Sequence, residues 1–209
     1  MPTPVFDSLN VRLAYRLGDP YTPDGDIVTY ADDGIAYPAS MRDDLVIEAA
    51  RRVLTRMGAR AVSVKGVREA YVRAADLTAT ETQLPADCAQ VLDIDYYGKR
   101  VEAEPFTSGR RSSVYWQNVP MYRIDQASDE ASRKVVLMNI HKSPFTASMR
   151  YLREIPALTH GGAEDLTFDV YMQEHVLDLA EALGRRLHQE FPQVYQMAAA
   201  ELQIHKDNE

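Results

Sequence analysis

The sequence contains very little cysteine and no long apolar run. Cys88 is the single cysteine among 209 residues, so no disulfide can form within the chain, which is typical of proteins made in a reducing compartment. No stretch approaches the roughly 20 consecutive apolar residues that span a bilayer, so we expect no membrane partner. The segment MPTPVFDSLN at the N-terminus lacks the basic and apolar regions of a signal peptide, so we expect assembly in the cytoplasm.

Recognisable catalytic and cofactor-binding motifs are missing as well. The chain contains no GxSxG, GxGxxG, GxxxxGK[ST] or HExxH pattern, which would indicate a hydrolase, a nucleotide site or a zinc protease. Its five histidines form no cluster with the cysteine, and a zinc site needs three or four ligands. Cys88 has no histidine near it in sequence, and we expect it to be a small buried residue. The sequence therefore predicts a protein that is not an enzyme and that has no cofactor or metal.

The chain contains fewer basic residues than acidic residues. The chain has 31 Asp and Glu residues against 23 Lys and Arg residues, which gives a net charge of −8. Contacts with the phosphate backbone of a nucleic acid need Lys and Arg side chains. We therefore expect the general surface of the protein not to bind nucleic acid.

Negative charge is concentrated in residues 22–34, TPDGDIVTYADDG. A calcium loop of the EF-hand type would need a glycine at its sixth position and a glutamate at its twelfth, where this sequence has Thr29 and Ile35. Asp and Gly are common in turns, so we interpret the segment as a solvated connector, with a divalent-ion site as the alternative. The carboxylates concerned are Asp24, Asp26, Asp32 and Asp33.

Apolar residues repeat at helical spacing in four segments. Two helices are predicted near the N-terminus, Val5–Leu17 and Ser40–Met57, and each is followed by a glycine that favours a helix end. Two more are predicted near the C-terminus, from about Leu166 to Gln189 and from Pro192 onward. The predicted buried stripe of the third helix is Phe168, Tyr171, Met172, Val176, Leu179, Ala180, Leu183 and Leu187.

Residues 71–155 consist of short runs that are typical of strands. QVLDIDYYG alternates, with Leu92, Ile94 and Tyr96 predicted on one face, and Gly98 is predicted to turn the chain. Further strands are predicted in KRVEAEPF, VPMYRID, KVVLMNI and FTASMRYLREI. Several short strands at close spacing favour an antiparallel sheet, a sandwich or a small barrel.

Together these segments predict an α+β fold. Residues 1–62 and 160–209 are predicted to form a helical bundle of two N-terminal and two C-terminal helices with flexible termini. Residues 63–159 are predicted to form an antiparallel β-sheet or sandwich inserted into that bundle.

Residues 107–117, TSGRRSSVYWQ, combine basic and aromatic side chains. An exposed hairpin tip followed by a core strand is one interpretation, and stacking on nucleic-acid bases is another. Docking on a second protein is a third, since Arg, Tyr and Trp are enriched at interface hot spots. Residues 204–209 and the loop at residues 20–38 are expected to order on docking. The predicted interface residues are Arg110, Arg111, Tyr115, Trp116, Ile204, His205 and Lys206.

The order of these segments resembles that of the head-to-tail adaptor proteins, also called connector or neck proteins, of tailed bacteriophages. In that family a short helix and a longer helix precede a β segment introduced by an L-P-x-D turn, and a strand after S-P leads into two closing helices. The first helices here contain LAYRLGD and SMRDDLVIEAARRVL. The other matching positions are Leu84-Pro85-Ala86-Asp87, Ser143-Pro144 and Met149–Pro156, so the resemblance spans most of the chain.

The resemblance implies a structural protein of the virion. Copies would form a ring, usually a dodecamer, in which the helical part faces the portal protein and further surfaces bind tail or neck proteins. DNA would pass through the channel without specific binding, which suits the negative net charge. A tail-completion protein that binds the tail tube is the alternative hypothesis. A small soluble metal-dependent enzyme that uses the carboxylates of residues 22–34 is a third.

Overall fold

The computed structural model describes residues 5–19, 36–103, 119–125, 133–140, 145–159 and 163–190. Within these ranges the chain combines helices and strands, which confirms the predicted α+β class. The helices are α1 (Val5–Leu17), α2 (Ala39–Met57), α3 (Lys65–Tyr71) and α4 (Val170–Glu190), with a 3₁₀ helix at Gly58–Val62. The strands are β1 (Val72–Leu77), β2 (Glu81–Gln83), β3 (Cys88–Tyr96), β4 (Lys99–Ala103), β5 (Met121–Asp125), β6 (Lys134–Met138) and β7 (Ala147–Arg153).

The chain divides into two compact units. One, which we call the helical unit, combines the described residues of Met1–Met57 and Ile155–Glu209 and contains α1, α2 and α4. The other, the β unit, is Gly58–Glu154 and contains α3 and the described strands. The predicted helix from Pro192 lies outside the described residues.

Glycines end α1 and α2 as the sequence predicts. At the end of α1, the Gly18 amide donates to the Tyr15 carbonyl at 3.2 Å and the Asp19 amide donates to the Ala14 carbonyl at 3.0 Å. These two bonds form a Schellman motif, and the φ of +77° at Gly18 lies in the left-handed region that favours glycine. The helix α2 begins one residue before the predicted start and ends at Met57.

A glycine within α4 allows the three helices of the helical unit to pack closely. A Cβ atom at Gly184 would lie 3.0 Å from a methyl group of Leu17 and 3.2 Å from a methyl group of Leu45. These distances are shorter than ordinary carbon contacts, so a larger residue would push α1 and α2 away from α4.

The helix α4 begins later than predicted. Residues 166–169 lead into it, and Asp169 caps it by accepting the amide of Met172 at 2.8 Å. The assignment of Tyr171 to the buried stripe is wrong, since its side chain is 72% exposed. The phase of the helix turns Tyr171 away from the core while the next residue, Met172, is buried. The buried residues of α4 include Met172, Val176, Leu177 and Ala180, whereas Leu179, Leu183 and Leu187 are half-buried.

The strands of the β unit form one sheet in the order β1-β7-β3-β4-β5-β6-β2. The strands β4 and β5 are parallel, with Glu102 opposite Met121 and Ala103 opposite Tyr122. The prediction of a purely antiparallel sheet is therefore wrong at this pair. Residues 107–117, predicted as a hairpin tip, lie outside the described part of the chain.

The core of the β unit lies on one face of this sheet. Strand β3 departs from strict alternation, because its pairing with β7 skips Leu92 between Val91 and Asp93. Ile94 and Tyr96 belong to the buried cluster as predicted, whereas Leu92 is buried outside this cluster. The buried cluster is Leu77, Leu84, Cys88, Val91, Ile94, Tyr96, Val101, Val135, Leu137, Ala147, Met149 and Tyr151.

Candidate protein interface

The interface residues predicted from the sequence lie outside the described part of the chain. The same holds for the four aspartates of residues 22–34. Their proposed roles therefore stay predictions. The residues concerned are Arg110, Arg111, Tyr115, Trp116, Ile204, His205 and Lys206, together with Asp24, Asp26, Asp32 and Asp33.

The L-P-x-D turn, which carries part of the family resemblance, lies directly before β3. The amide of Cys88 donates to the Pro85 carbonyl at 2.9 Å and closes the turn. The Asp87 carbonyl accepts the amide of Glu154 at 2.7 Å, and its carboxylate accepts the hydroxyl of Tyr151 at 3.1 Å. Burial and this hydrogen bond raise the pKa of Tyr151. The turn therefore joins the start of β3 to the end of β7, the strand that precedes the last described helix.

Cys88 is enclosed by the same contacts. Its side chain is 1% exposed, and burial raises the pKa of its thiol to about 11. Arg133 donates to the Cys88 carbonyl at 2.7 Å and opposes the rise only in part. The thiol is therefore protonated at neutral pH and is a poor nucleophile. The prediction of a small buried residue is confirmed.

Among the described residues, no group of three or more His, Cys, Asp or Glu side chains could hold a metal ion. No helix in the same part of the chain is long and apolar enough to cross a membrane.

A ladder of ion pairs joins α1 to α4. Arg12 pairs with Glu174, and Arg16 contacts Glu174, Asp178 at 2.5 Å and Glu181 at 3.7 Å. The later residue of α1, Arg16, contacts later residues of α4 than Arg12 does, so α1 and α4 run in the same direction. The hydrogen bond that Arg16 donates to Asp178 raises the pKa of Arg16. Because these groups are partly solvated, the ladder contributes more to alignment of the helices than to stability.

Beside this ladder, α4 exposes apolar surface. Val170 and Tyr171 are each 72% exposed, which is the largest exposure among the large apolar side chains of the described residues. The exposed ring of His175 contacts Tyr171 edge-on, with 4.5 Å between ring centroids. An exposed aromatic group beside a polar ring is typical of protein interfaces. We call Val170, Tyr171 and His175 the α4 patch.

The α4 patch was not predicted from the sequence because Tyr171 fits an apolar helical repeat. The sequence nevertheless contains a feature that indicates its exposure. Asp169 is a good N-cap residue, and a helix that starts after it places residues 171 and 175 on one face.

Comparison with known proteins assigns no family to the chain. No protein-family model matches it, and no curated protein matches it either. The order of the elements and the exposed surfaces are therefore the features that bear on function.

Proposed function

We propose that this protein is a structural component of a bacteriophage particle and forms a ring adaptor between portal and tail. The order of its elements carries the proposal. Two N-terminal helices precede the strands, the Leu84–Asp87 turn stands before β3, and β7 precedes a closing helix. This is the order that the family resemblance implies. Asp87 accepts hydrogen bonds from Tyr151 and Glu154 at the end of β7, which gives a physical reason for the Leu84–Asp87 turn and the Met149–Pro156 segment to occur in one chain.

In this proposal α1, α2 and α4 belong to a helical bundle that makes the ring, and the β unit is a sandwich-like insertion. Ring contacts are heterologous, so each copy presents one surface to a different surface of its neighbour. The α4 patch supplies an aromatic anchor for such a contact. The ring is a dodecamer, as the resemblance implies.

The proposed partners are the portal protein, tail or neck proteins and further copies of this chain. DNA passes through the ring without sequence-specific binding, and the net charge of −8 supports this because negative walls repel phosphates. The protein is then located in the virion after assembly in the host cytoplasm.

The composition of purified phage particles tests this proposal. We would quantify this chain against the major capsid protein by mass spectrometry. A low and constant copy number that corresponds to one ring per particle is the expected result. Absence of the chain from intact, DNA-filled particles would contradict the proposal.

Crosslinking in the same particles separates the adaptor from a tail-completion protein. An adaptor gives crosslinks to the portal protein, whereas a tail-completion protein gives crosslinks to the tail tube alone. Particles that lack tails serve as the control, because an adaptor remains bound to the portal in them.

A further inference from the structure

Positive charge is concentrated in one part of this acidic chain. Residues 51–73 contain seven Arg and Lys residues and a single acidic residue, Glu69. In the whole chain, by contrast, acidic residues outnumber basic ones. Basic residues are more concentrated here than around Arg110 and Arg111.

The last two turns of α2 carry the first part of this charge on an exposed face. Arg51, Arg52, Thr55 and Arg56 are all exposed. Arg52 pairs with Glu48 at 2.6 Å, whereas Arg51 and Arg56 have no ion-pair partner among the described residues. A cation in the last turn of a helix stabilises its C-terminus, which explains Arg56. The same effect does not explain Arg51, which lies before the last turn.

A second group of cations belongs to the β unit. Arg60 in the 3₁₀ helix and Lys65, the first residue of α3, are exposed and have no ion-pair partner among the described residues. Arg68 is exposed and lies 3.9 Å from Glu69, which is a long contact. A cation in the first turn of a helix is unfavourable for the helix dipole. The stability of α3 therefore does not account for Lys65.

We propose that each of these two groups of cations contacts the phosphate backbone of a DNA duplex without reading its bases. Phosphate contacts need only flexible cations, and the exposed face of α2 offers three arginines, of which Arg52 also pairs with Glu48. A protein partner would instead need an apolar or aromatic anchor. None of the exposed large apolar side chains among the described residues falls within residues 51–73. The proposal does not depend on ring formation.

Fluorescence anisotropy of the full chain with labelled DNA duplexes tests the proposal. Two duplexes of unrelated sequence are titrated at salt concentrations from about 50 to about 200 mM. We expect equal affinity for both duplexes and a linear fall of log K with log salt, with a slope of about 0.9 for each phosphate contacted.

Two double variants, one in each unit, test the two groups of cations separately. Arg51→Glu with Arg56→Glu, and Arg60→Glu with Lys65→Glu, should each weaken binding by at least about tenfold and reduce the salt slope by about 2. The control is Lys99→Glu with Arg100→Glu, which makes the same change of charge on the exposed β3–β4 hairpin. The control should retain most of the affinity, because both exposed cations lie outside residues 51–73.

Several outcomes would overturn the proposal. One is the absence of DNA binding by the wild-type chain at about 50 mM salt. Another is an equal loss of affinity in the control variant. A third is unchanged DNA binding in both double variants, and altered self-association of these variants would then assign the cations to a protein contact. Circular dichroism verifies folding, and Arg→Gln and Lys→Gln versions replace any double variant that does not fold.

Discussion

At the scale of single residues, a distant carboxylate completes the beginning of α1. Asp165 accepts the amides of Val5 at 2.7 Å and Phe6 at 2.8 Å, and also the amide of Leu166 at 2.8 Å. The first amides of a helix have no partner within the helix, so this carboxylate acts as an N-cap although it is distant in sequence.

Replacement of this cap should destabilise the helical unit. Asp165→Ala is expected to lower the free energy of unfolding by about 1–2 kcal/mol, because buried amides lose their acceptor and the helix dipole loses a favourable charge. Urea denaturation followed by circular dichroism measures the change. Asp76→Ala is the control, since Asp76 is exposed, and it should alter stability by less than about 0.5 kcal/mol. Equal effects of the two substitutions would show that the cap contributes nothing.

The thiol of Cys88 should be unreactive until the protein unfolds. At pH 8, a thiol-specific reagent such as DTNB is expected to label the native chain far more slowly than the chain in urea. The reason is that burial excludes the reagent and raises the pKa of the thiol to about 11. Similar labelling rates in the two states would contradict this environment.

The raised pKa of the Cys88 thiol also predicts how the free energy of unfolding depends on pH. Below the ordinary thiol pKa of about 8.5, Cys88 is protonated in both states and has no effect on this dependence. Between that value and about 11, the unfolded chain ionises first, so stability falls as pH rises. Cys88→Ala should remove this part of the alkaline decline in the free energy of unfolding.

At the scale of elements, the β3–β4 hairpin shows how turn chemistry sets strand register. Tyr97 and Gly98 have φ values of +52° and +71°, which form a type I′ turn between the paired residues Tyr96 and Lys99. The predicted turn at Gly98 is confirmed. Tyr97 is an unusual residue for this conformation, and its ring packs edge-on against Tyr96 with 4.9 Å between centroids.

Substitution of the turn glycine should weaken the hairpin. Gly98→Ala is expected to lower the free energy of unfolding by about 1–2 kcal/mol, because a Cβ atom is unfavourable in the left-handed region. Gly66→Ala is the matched control, since Gly66 lies exposed within α3, and it should raise stability by up to about 1 kcal/mol. Changes of the same sign in both variants would contradict the conformational explanation.

At the scale of the whole molecule, the exposed surfaces determine what the protein can assemble with. The α4 patch presents apolar and aromatic groups, whereas the exposed face at the end of α2 presents arginines. The two surfaces therefore suit different partners, a protein in the first case and a polyanion in the second.

Loss of the α4 patch should impair assembly and leave the fold intact. Val170→Ser with Tyr171→Ser is expected to reduce incorporation of the chain into particles by at least about tenfold, since a hot-spot residue contributes roughly 2 kcal/mol to each contact. Mass spectrometry of particles from cells that express tagged variant and wild-type chains measures the ratio. Ile124→Ser, at a residue 40% exposed in the β unit, is the control. Normal incorporation of the double variant would remove the α4 patch from the proposed ring contact.

Local sequence patterns are sufficient to predict the α+β class, α1 and α2, the hairpin at Gly98 and the course of β3, β5, β6 and β7. These features depend on local periodicity and turn residues, which act over a few positions. The short helix α3 and the strands β1 and β2 were not predicted individually, because short segments carry little periodic signal.

Features that depend on contacts between residues distant in sequence could not be predicted in this way. Arg42 lies within the apolar stripe of α2 and is fully buried, because its guanidinium donates to Asn10 and to the Tyr37 carbonyl, each at 2.8 Å. Three further features also depend on residues that are distant in sequence. They are the parallel pairing of β4 and β5, the bulge at Leu92 and the cap from Asp165. The physical reason is that a buried polar group is stable only when its partner is supplied, and here the partners come from positions that no local pattern connects.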